Sequence, residues 1–293
     1  MLSKINFALD YFKYLKNPVS CLLFKFGLKK EVIIKPKKIN KKFKTNKINV
    51  INGLMGVLRC QEEIQPEFIE FVDELNSDKE IISWSGANIL NFSDIPLNLS
   101  SFFELYNNGY WNDFGIDYSD RCIIDIGSNG GDSSLYFATQ GASVYGYEPV
   151  KPIYEYSLNL IRLNPDLKDK LHFFNNGVSD KRGKLNIDSM NSVSAYIEND
   201  SYEVEVITID DILNDNNIKP DFLKMDCEGC EYNIILNSDL SGFNDILFEH
   251  HAGIVGKEYS LLTDKLKSEG FKIKKLDVFN AEFKSVGLIH AYK

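Results

Sequence analysis

The stretch RCIIDIGSNGGDSSLYFA, Arg121 to Ala138, constrains this chain more than any other. Cys122, Ile123, Ile124 and Ile126 form an apolar run short enough for a buried strand, ended by the breakers Gly127, Asn129, Gly130 and Gly131. From Asp132 onward Leu135 and Ala138, with Tyr136 and Phe137, return at helical spacing. A strand that feeds a helix through glycines gathers free backbone N–H groups and the positive end of a helix dipole in one small volume. Such a turn is a ligand site by construction.

Downstream the pattern alternates. Strands are predicted at Ser143 to Tyr147, Leu171 to Phe174, Asp221 to Met225 and Asp245 to Phe248, and two more at Phe271 to Leu276 and Val286 to Ala291. Helical spacing covers Ile153 to Leu163, Ile234 to Leu236 and Leu261 to Leu266, and a hairpin is predicted from Gly183 to Ile187 and Tyr202 to Ile209. This alternation specifies an open, doubly wound α/β sheet, in which ligands bind beyond the carboxyl ends of the strands. The residues to consider are therefore Asp125 to Asp132, Glu148, Asn175 to Asp180, Asp226 to Glu231 and Glu249 to His251.

The first 48 residues form a basic arm, with thirteen lysines against Asp10 and Glu31, a net +11 that leaves −20 on the remainder. A body that acidic repels a phosphate backbone, so no nucleic-acid substrate is expected. Ile5, Ala8, Leu9, Phe12 and Leu15 follow helical spacing up to Pro18, and Leu22, Leu23 and Phe26 cluster before Gly27. The arm reads either as an amphipathic anchor in peripheral contact with an anionic membrane or as a solvated tail or packed helix. The second reading is preferred, because basic terminal segments are usually solvated. Val19 to Phe24 is too short to cross a bilayer.

Residues 49–120 read as an accessory region shaping substrate access. Phe68, Ile69, Val72 and Leu75 mark one helix, and Phe102, Phe103, Leu105 and Tyr106 another that closes at Gly109. Trp84, Tyr110 and Trp111 are expected to be core residues, with an aromatic wall for an acceptor as the alternative. Cys21, Cys60, Cys122, Cys227 and Cys230 are an odd set without framework spacing, which predicts a reduced, cytoplasmic chain. The lone C-E-G-C of Cys227 and Cys230 lacks a second ligand pair, so the two are read as packing residues and no metal is assigned.

Glu148 ends the second strand 21 residues after Gly127, near the interval at which an acid meets ribose hydroxyls, so a nucleoside is the expected ligand. The turn G-S-N-G-G-D lacks the third glycine of a dinucleotide fingerprint, and Asp132 stands where a pyrophosphate would sit. S-adenosylmethionine carries no phosphate but a sulfonium and an ammonium, and suits a site with Asp125, Asp132 and Glu148. In FLKMDCEGCEY, Phe222 to Tyr232, a strand delivers Asp226 to its end and Glu228 precedes the next helix.

IIDIGSNGGDSSLYFATQGA, VYGYEP, NNGVSD, VITIDDIL, FLKMDCEGCEY and FEHH, in this order, resemble the FkbM-type methyltransferases over about Arg121 to His251. The resemblance implies a class I, Rossmann-like methyltransferase domain over 121–293, with a seven-stranded, mostly parallel sheet and an S-adenosylmethionine cofactor. It implies that Asp125, Gly127, Asn129 and Gly130 hold the methionine part and that Glu148 takes the ribose hydroxyls; Ser128 and Asp132 of the same turn are also assigned to the cofactor site. Asn176, Val178, Ser179 and Asp180 fall where such enzymes contact adenine. Asp226, Glu228 and the group Glu249, His250 and His251 then face the methyl group. Gly130-Gly131 and FEHH depart from common family forms, and the second leaves open which histidine points at the substrate.

The expected activity is O-methylation of a small-molecule, glycan or lipid hydroxyl, with His250 or His251, oriented by Glu249, as proton acceptor. Asp226 and Glu228 would position or substitute for it. Such a base contributes about 100 to 10,000-fold. The rivals are N-methylation of an amino-sugar-type acceptor and a non-catalytic, cofactor-binding membrane-surface adaptor.

Overall fold

Pro18 sets the first boundary of the chain, since a proline cannot continue the helix before it but suits the first turn of the next. In the computed structural model, which describes residues 2–60, 64–95, 99, 101–103, 114–187, 202–276 and 286–293, α1 is Leu2–Tyr14 and α2 is Pro18–Lys25. Two compact units, Met1–Asp113 and Phe114–Lys293, make up the chain. In the first unit, α1 and α2 are followed by a hairpin of β1, Val32–Ile34, and β2, Phe43–Thr45. Then come α3, Ile48–Cys60, and α4, Pro66–Leu75, and a second hairpin of β3, Ile81–Trp84, and β4, Ala87–Leu90.

The lysine-rich segment is thus folded, with Tyr11, Leu15, Cys21 and Phe24 buried. Trp84 is a packing residue: it is fully buried, meets Phe102 edge-on at 5.2 Å and donates its indole N–H to the Phe102 carbonyl at 3.0 Å. Leu105, Tyr106, Gly109, Tyr110 and Trp111 lie outside the described residues. Among the described residues no helix is long and apolar enough to cross a membrane.

In the second unit, apolar runs too short for helices become strands. These are β5, Cys122–Ile126, β6, Ser143–Tyr147, β7, Leu171–Phe174, and, after a small insertion, β11, Phe222–Met225, and β12, Asp245–His251. Helices α5, Asp132–Thr139, and α6, Lys151–Leu163, provide the first two crossovers. The insertion is a three-stranded sheet of β8, Gly177–Val178, β9, Gly183–Ile187, and β10, Tyr202–Ile207. It leads into α7, Ile209–Asp215. The predicted hairpin strand stops two residues short of Ile209 because Thr208 caps α7, its hydroxyl accepting the Asp211 N–H while Asp211 accepts the Thr208 N–H.

Helix α8, Cys230–Asn237, follows β11, and after β12 come α9, Ala252–Val255, α10, Ser260–Ser268, β13, Lys272–Leu276, and β14, Val286–Tyr292. The spatial order is β7-β6-β5-β11-β12-β14-β13, parallel except for β14, which runs antiparallel to both its neighbours. This is the seven-stranded, mostly parallel doubly wound sheet expected from the sequence. The strand order reverses between β5 and β11, so the ligand crevice of such a sheet opens after Ile126 and Met225.

Strand β12 runs three residues beyond its predicted end, because pairing with β14 continues through Glu249 to Leu288, His250 to Gly287 and His251 to Val286. At the opposite, amino-terminal end of the sheet, Arg121 clamps three strands. Its guanidinium donates to Asp221 and Asp245, and Asp245 also lies 2.7 Å from His290 Nε2.

Candidate active site

Gly127 begins the turn after β5 with φ +72, and a Cβ there would lie 1.9 Å from the Asp226 carbonyl oxygen. Only glycine lets the turns after β5 and β11 approach this closely. Asn129 also adopts a positive φ, and Gly131 caps α5 in a left-handed conformation.

The acids of this turn have different surroundings. Asp125 is fully buried, its carboxylate accepting from the Ser133 and Ser134 hydroxyls at 2.7 and 2.6 Å and lying 2.8 Å from Lys224 Nζ. The sequence reading put Asp125 against the methionine part of a cofactor; in the structure its oxygens are engaged by the protein itself. Lys224, overlooked in the sequence, is also buried and donates to the Gly127 carbonyl at 3.0 Å. Burial works against its charge, but Asp125 and Asp226 outweigh that and hold it above the usual lysine range.

Glu148 is buried at the end of β6 and accepts the Asn129 and Val150 N–H groups at 3.0 and 2.7 Å. Burial outweighs these bonds and lifts its carboxyl to about 7. Asp132, at the start of α5, is lifted to about 7 by burial, with Lys224 opposing and Asp125 adding to the effect. Ser128 Oγ is buried and has no hydrogen-bond partner among the described residues.

Asn175, not Asn176, is tied to this end of the sheet, donating to the Glu148 and Pro149 carbonyls at 2.8 and 3.0 Å. Asn176 reaches the Glu205 carbonyl at 3.5 Å, Val178 packs in the core, and the Ser179 hydroxyl donates to Asp180.

Residues after β11 and on β12 form a second cluster. Side chains alternate along a strand, so Glu249 and His251 share a side and His250 takes the other. His250 is buried and stacks on Tyr259 with ring centroids 4.7 Å apart. His251 Nε2 lies 3.3 Å from Glu228, 3.9 Å from Asp226 and 4.0 Å from Glu249. Its Nδ1 lies 3.2 Å from Glu231 Oε1, which also accepts the His251 N–H at 2.9 Å. Glu249 was expected to orient the histidine; the contact belongs to fully buried Glu231, whose other oxygen accepts the Gly229 N–H. FLKMDCEGCEY contains Glu231, but a helix-start acid gives no sign of a partner twenty residues away.

Burial opposes charge on His251, yet the Glu231 bond and the charges of Asp226, Glu231 and Glu228 together raise its pKa above the ordinary 6.5. Asp226, Glu249 and His251 offer ligand atoms within 4.8 Å of one another, close enough for a divalent cation or for a protonated imidazole to serve as the positive centre.

Cys227 and Cys230 are joined in a disulfide with their Cα atoms 5.4 Å apart. The two residues do pack against the core, as expected, but the disulfide overturns their reduced state, and the cysteine pattern no longer argues for a reducing compartment. Glu228 and Gly229 between them both take positive φ, which folds the loop back and brings the two sulfurs together.

The fold is a doubly wound α/β sheet of the class I type, with a crevice at the switch point where such sheets bind ligands. Residues 125–273, half of the chain, match the model of the methyltransferase FkbM domain, and the chain belongs to that family. The matched model is that of a methyltransferase domain, for which S-adenosylmethionine is the cofactor expected from the sequence. No curated protein matches in a sequence search.

Among solved structures, the FkbM methyltransferase from Methylobacillus flagellatus KT is 16% identical with a TM-score of 0.44, over 84% of this chain and 59% of that one. Magnesium protoporphyrin IX methyltransferase from Synechocystis PCC 6803, with bound SAM, is 12% identical with a TM-score of 0.36, over 62% and 74%. TrmK from M. capricolum, in complex with S-adenosyl-homocysteine, is 13% identical with a TM-score of 0.38, over 59% and 62%.

The residues present fit the cofactor. Glu148 and Asp132 are buried acids whose charge burial opposes, so hydroxyl donors and cationic groups satisfy them where a phosphate would not. Glu148 has lone pairs to spare for two ribose hydroxyls beyond its two backbone donors. Ser128 Oγ offers a buried polar atom beside them.

Proposed function

We propose that the chain methylates a hydroxyl oxygen of a glycan, glycolipid or related metabolite. When bound, S-adenosylmethionine supplies an electrophilic methyl group on a sulfonium. An alcohol must lose its proton as the new bond forms, so the enzyme needs a base near the strand ends. The observation that carries this reading is His251. Glu231 fixes its Nδ1 as the protonated nitrogen, which leaves Nε2 to accept a proton. Asp226, Glu228 and Glu249 surround that nitrogen and stabilise the imidazolium once formed.

An amine acceptor, which is already nucleophilic when neutral, has less need of a held imidazole. The oxygen reading accounts for the Glu231 contact, and amino-sugar methylation does so less directly. Asn129, Glu148 and the Gly127 turn would hold the cofactor, so the two halves of the site have separate tasks.

Incubation with methyl-labelled cofactor and fractionated glycan and lipid extracts tests this. The expected product carries an ether-linked methyl by mass spectrometry. His251→Asn should lose at least about 100-fold in turnover while binding the cofactor normally. An N-linked product, or full turnover in that variant, would remove the assignment.

A further inference from the structure

Ten large apolar side chains are exposed among the described residues, and six of them, Leu9, Phe12, Val19, Phe26, Leu28 and Ile33, fall within 25 residues of the first unit. Their exposure runs from 46% to 71%. The bias is not a shortage of core, since Tyr11, Tyr14, Leu15, Cys21 and Phe24 from the same segment are buried. Both faces of the segment are therefore apolar, and only one is covered.

Hydrogen bonds tie the backbone around some of these residues to neighbouring turns and place lysines beside them. The Lys37 ammonium donates to the Phe12 carbonyl at 2.8 Å, and that of Lys29 to Ser20 Oγ, next to Val19, at 2.9 Å. Asn17, in the turn between α1 and α2, donates to the Ile33 carbonyl at 2.6 Å. Lys13, Lys16, Lys30 and Lys38 are exposed as well. The only acids of the segment are already neutralised, Asp10 by Arg59 at 2.8 Å and Glu31 by Lys44 at 3.1 Å.

We propose that this surface docks on an anionic lipid bilayer, with the apolar side chains entering the headgroup boundary and the lysines meeting the lipid charges. Apolar residues ringed by lysines are the composition that suits such an interface. Each lysine near an anionic surface strengthens binding roughly fivefold. A second copy of the chain would bring a second set of lysines and be repelled. A phosphate backbone would use the lysines but leave Leu9, Val19, Leu28 and Ile33, which offer no stacking face, exposed. The inference is independent of the acceptor and of the methyl-transfer chemistry.

Co-sedimentation of the full chain with phosphatidylcholine vesicles, and with vesicles containing about one-third phosphatidylglycerol, tests it. Sedimentation with the anionic vesicles alone, weakened by salt, is expected. The double variant Phe12→Ser, Phe26→Ser should lower the partition at least about tenfold, and Lys29→Gln, Lys30→Gln should do the same through charge alone. All four residues are exposed, so thermal melting and cofactor affinity should match the parent. Absence of sedimentation with either vesicle, or parental sedimentation of both variants, overturns the proposal. A concentration-dependent dimer that the phenylalanine variant dissolves would give the surface to a second copy and overturn it too.

Discussion

Lys224 Nζ lies 2.8 Å from Asp125 Oδ1 on neighbouring strands paired in register, with both residues fully inside the sheet. Removing one partner of such a pair strands a buried charge. Lys224→Met is expected to lower the free energy of urea unfolding by about 3 to 5 kcal/mol. Adding Asp125→Asn should restore a large part of that loss, because the amide carries no charge to strand. No recovery in the double variant would mean that the pair is not the source of the cost.

Glu148 gives a stability prediction with a definite sign. Its carboxyl titrates at about 7 in the fold against 4.5 for an ordinary glutamate. The folded state therefore binds the proton more tightly, and the contribution of Glu148 to stability is full below pH 4.5 and is lost as pH rises through about 7. Relative to Glu148→Gln, the unliganded protein should lose about 3 kcal/mol between these limits. Urea unfolding at several pH values checks this; parallel curves for the two proteins would refute it. Calorimetry on Glu148→Ala should also show cofactor affinity reduced roughly 10 to 100-fold, the cost of two hydrogen bonds of about 1 kcal/mol each.

The Cys227–Cys230 bond makes a chemical prediction. Neither thiol should react with an alkylating reagent in the unreduced, denatured protein, and both should react after reduction, as read by peptide mass spectrometry. The loop closed is short, so Cys230→Ser should cost no more than about 2 kcal/mol. Alkylation without reduction would return the pair to its reading as free packing residues.

The alternation of apolar runs made the sheet legible, because a strand buried on both faces leaves a short apolar run such as Ile123 to Ile126. The Gly127 turn and Glu148 were legible for the same local reason. What escaped was long-range. Lys224 sits within the apolar run FLKM, where only its neighbour Asp125 in space, 99 residues earlier in the chain, explains it. Glu231 carries no local sign of its partner, because the contact depends on β12 extending to His251. Which of His250 and His251 meets the acids after β11 likewise follows from how far the strand runs, which is set by pairing with β14 and invisible in FEHH.

Asp226, Glu249 and His251 converge closely enough to suggest a cation. A protonated His251 already supplies one, held up by Glu231 and its acidic neighbours. Methyl transfer is accordingly expected to survive dialysis against EDTA without loss of rate. A loss reversed by magnesium or manganese would assign these three residues to a metal instead.

His251 must be neutral to accept a proton, and its surroundings hold the proton on above the ordinary histidine value of 6.5. The rate should therefore climb with pH along a limb whose midpoint lies above that value. Glu231→Gln removes the charge that holds Nδ1–H while keeping an acceptor at the same distance. It should move the midpoint to lower pH and reduce the high-pH plateau about tenfold, since a weaker acceptor both lowers basicity and loosens the ring. Cofactor affinity, which the proposed reading assigns to the Glu148 side of the crevice, should stay at the parental value. A pH profile unchanged by Glu231→Gln, measured as kcat/KM on an identified acceptor, would show that the titrating base is another group, and Glu228 or Asp226 would then take its place.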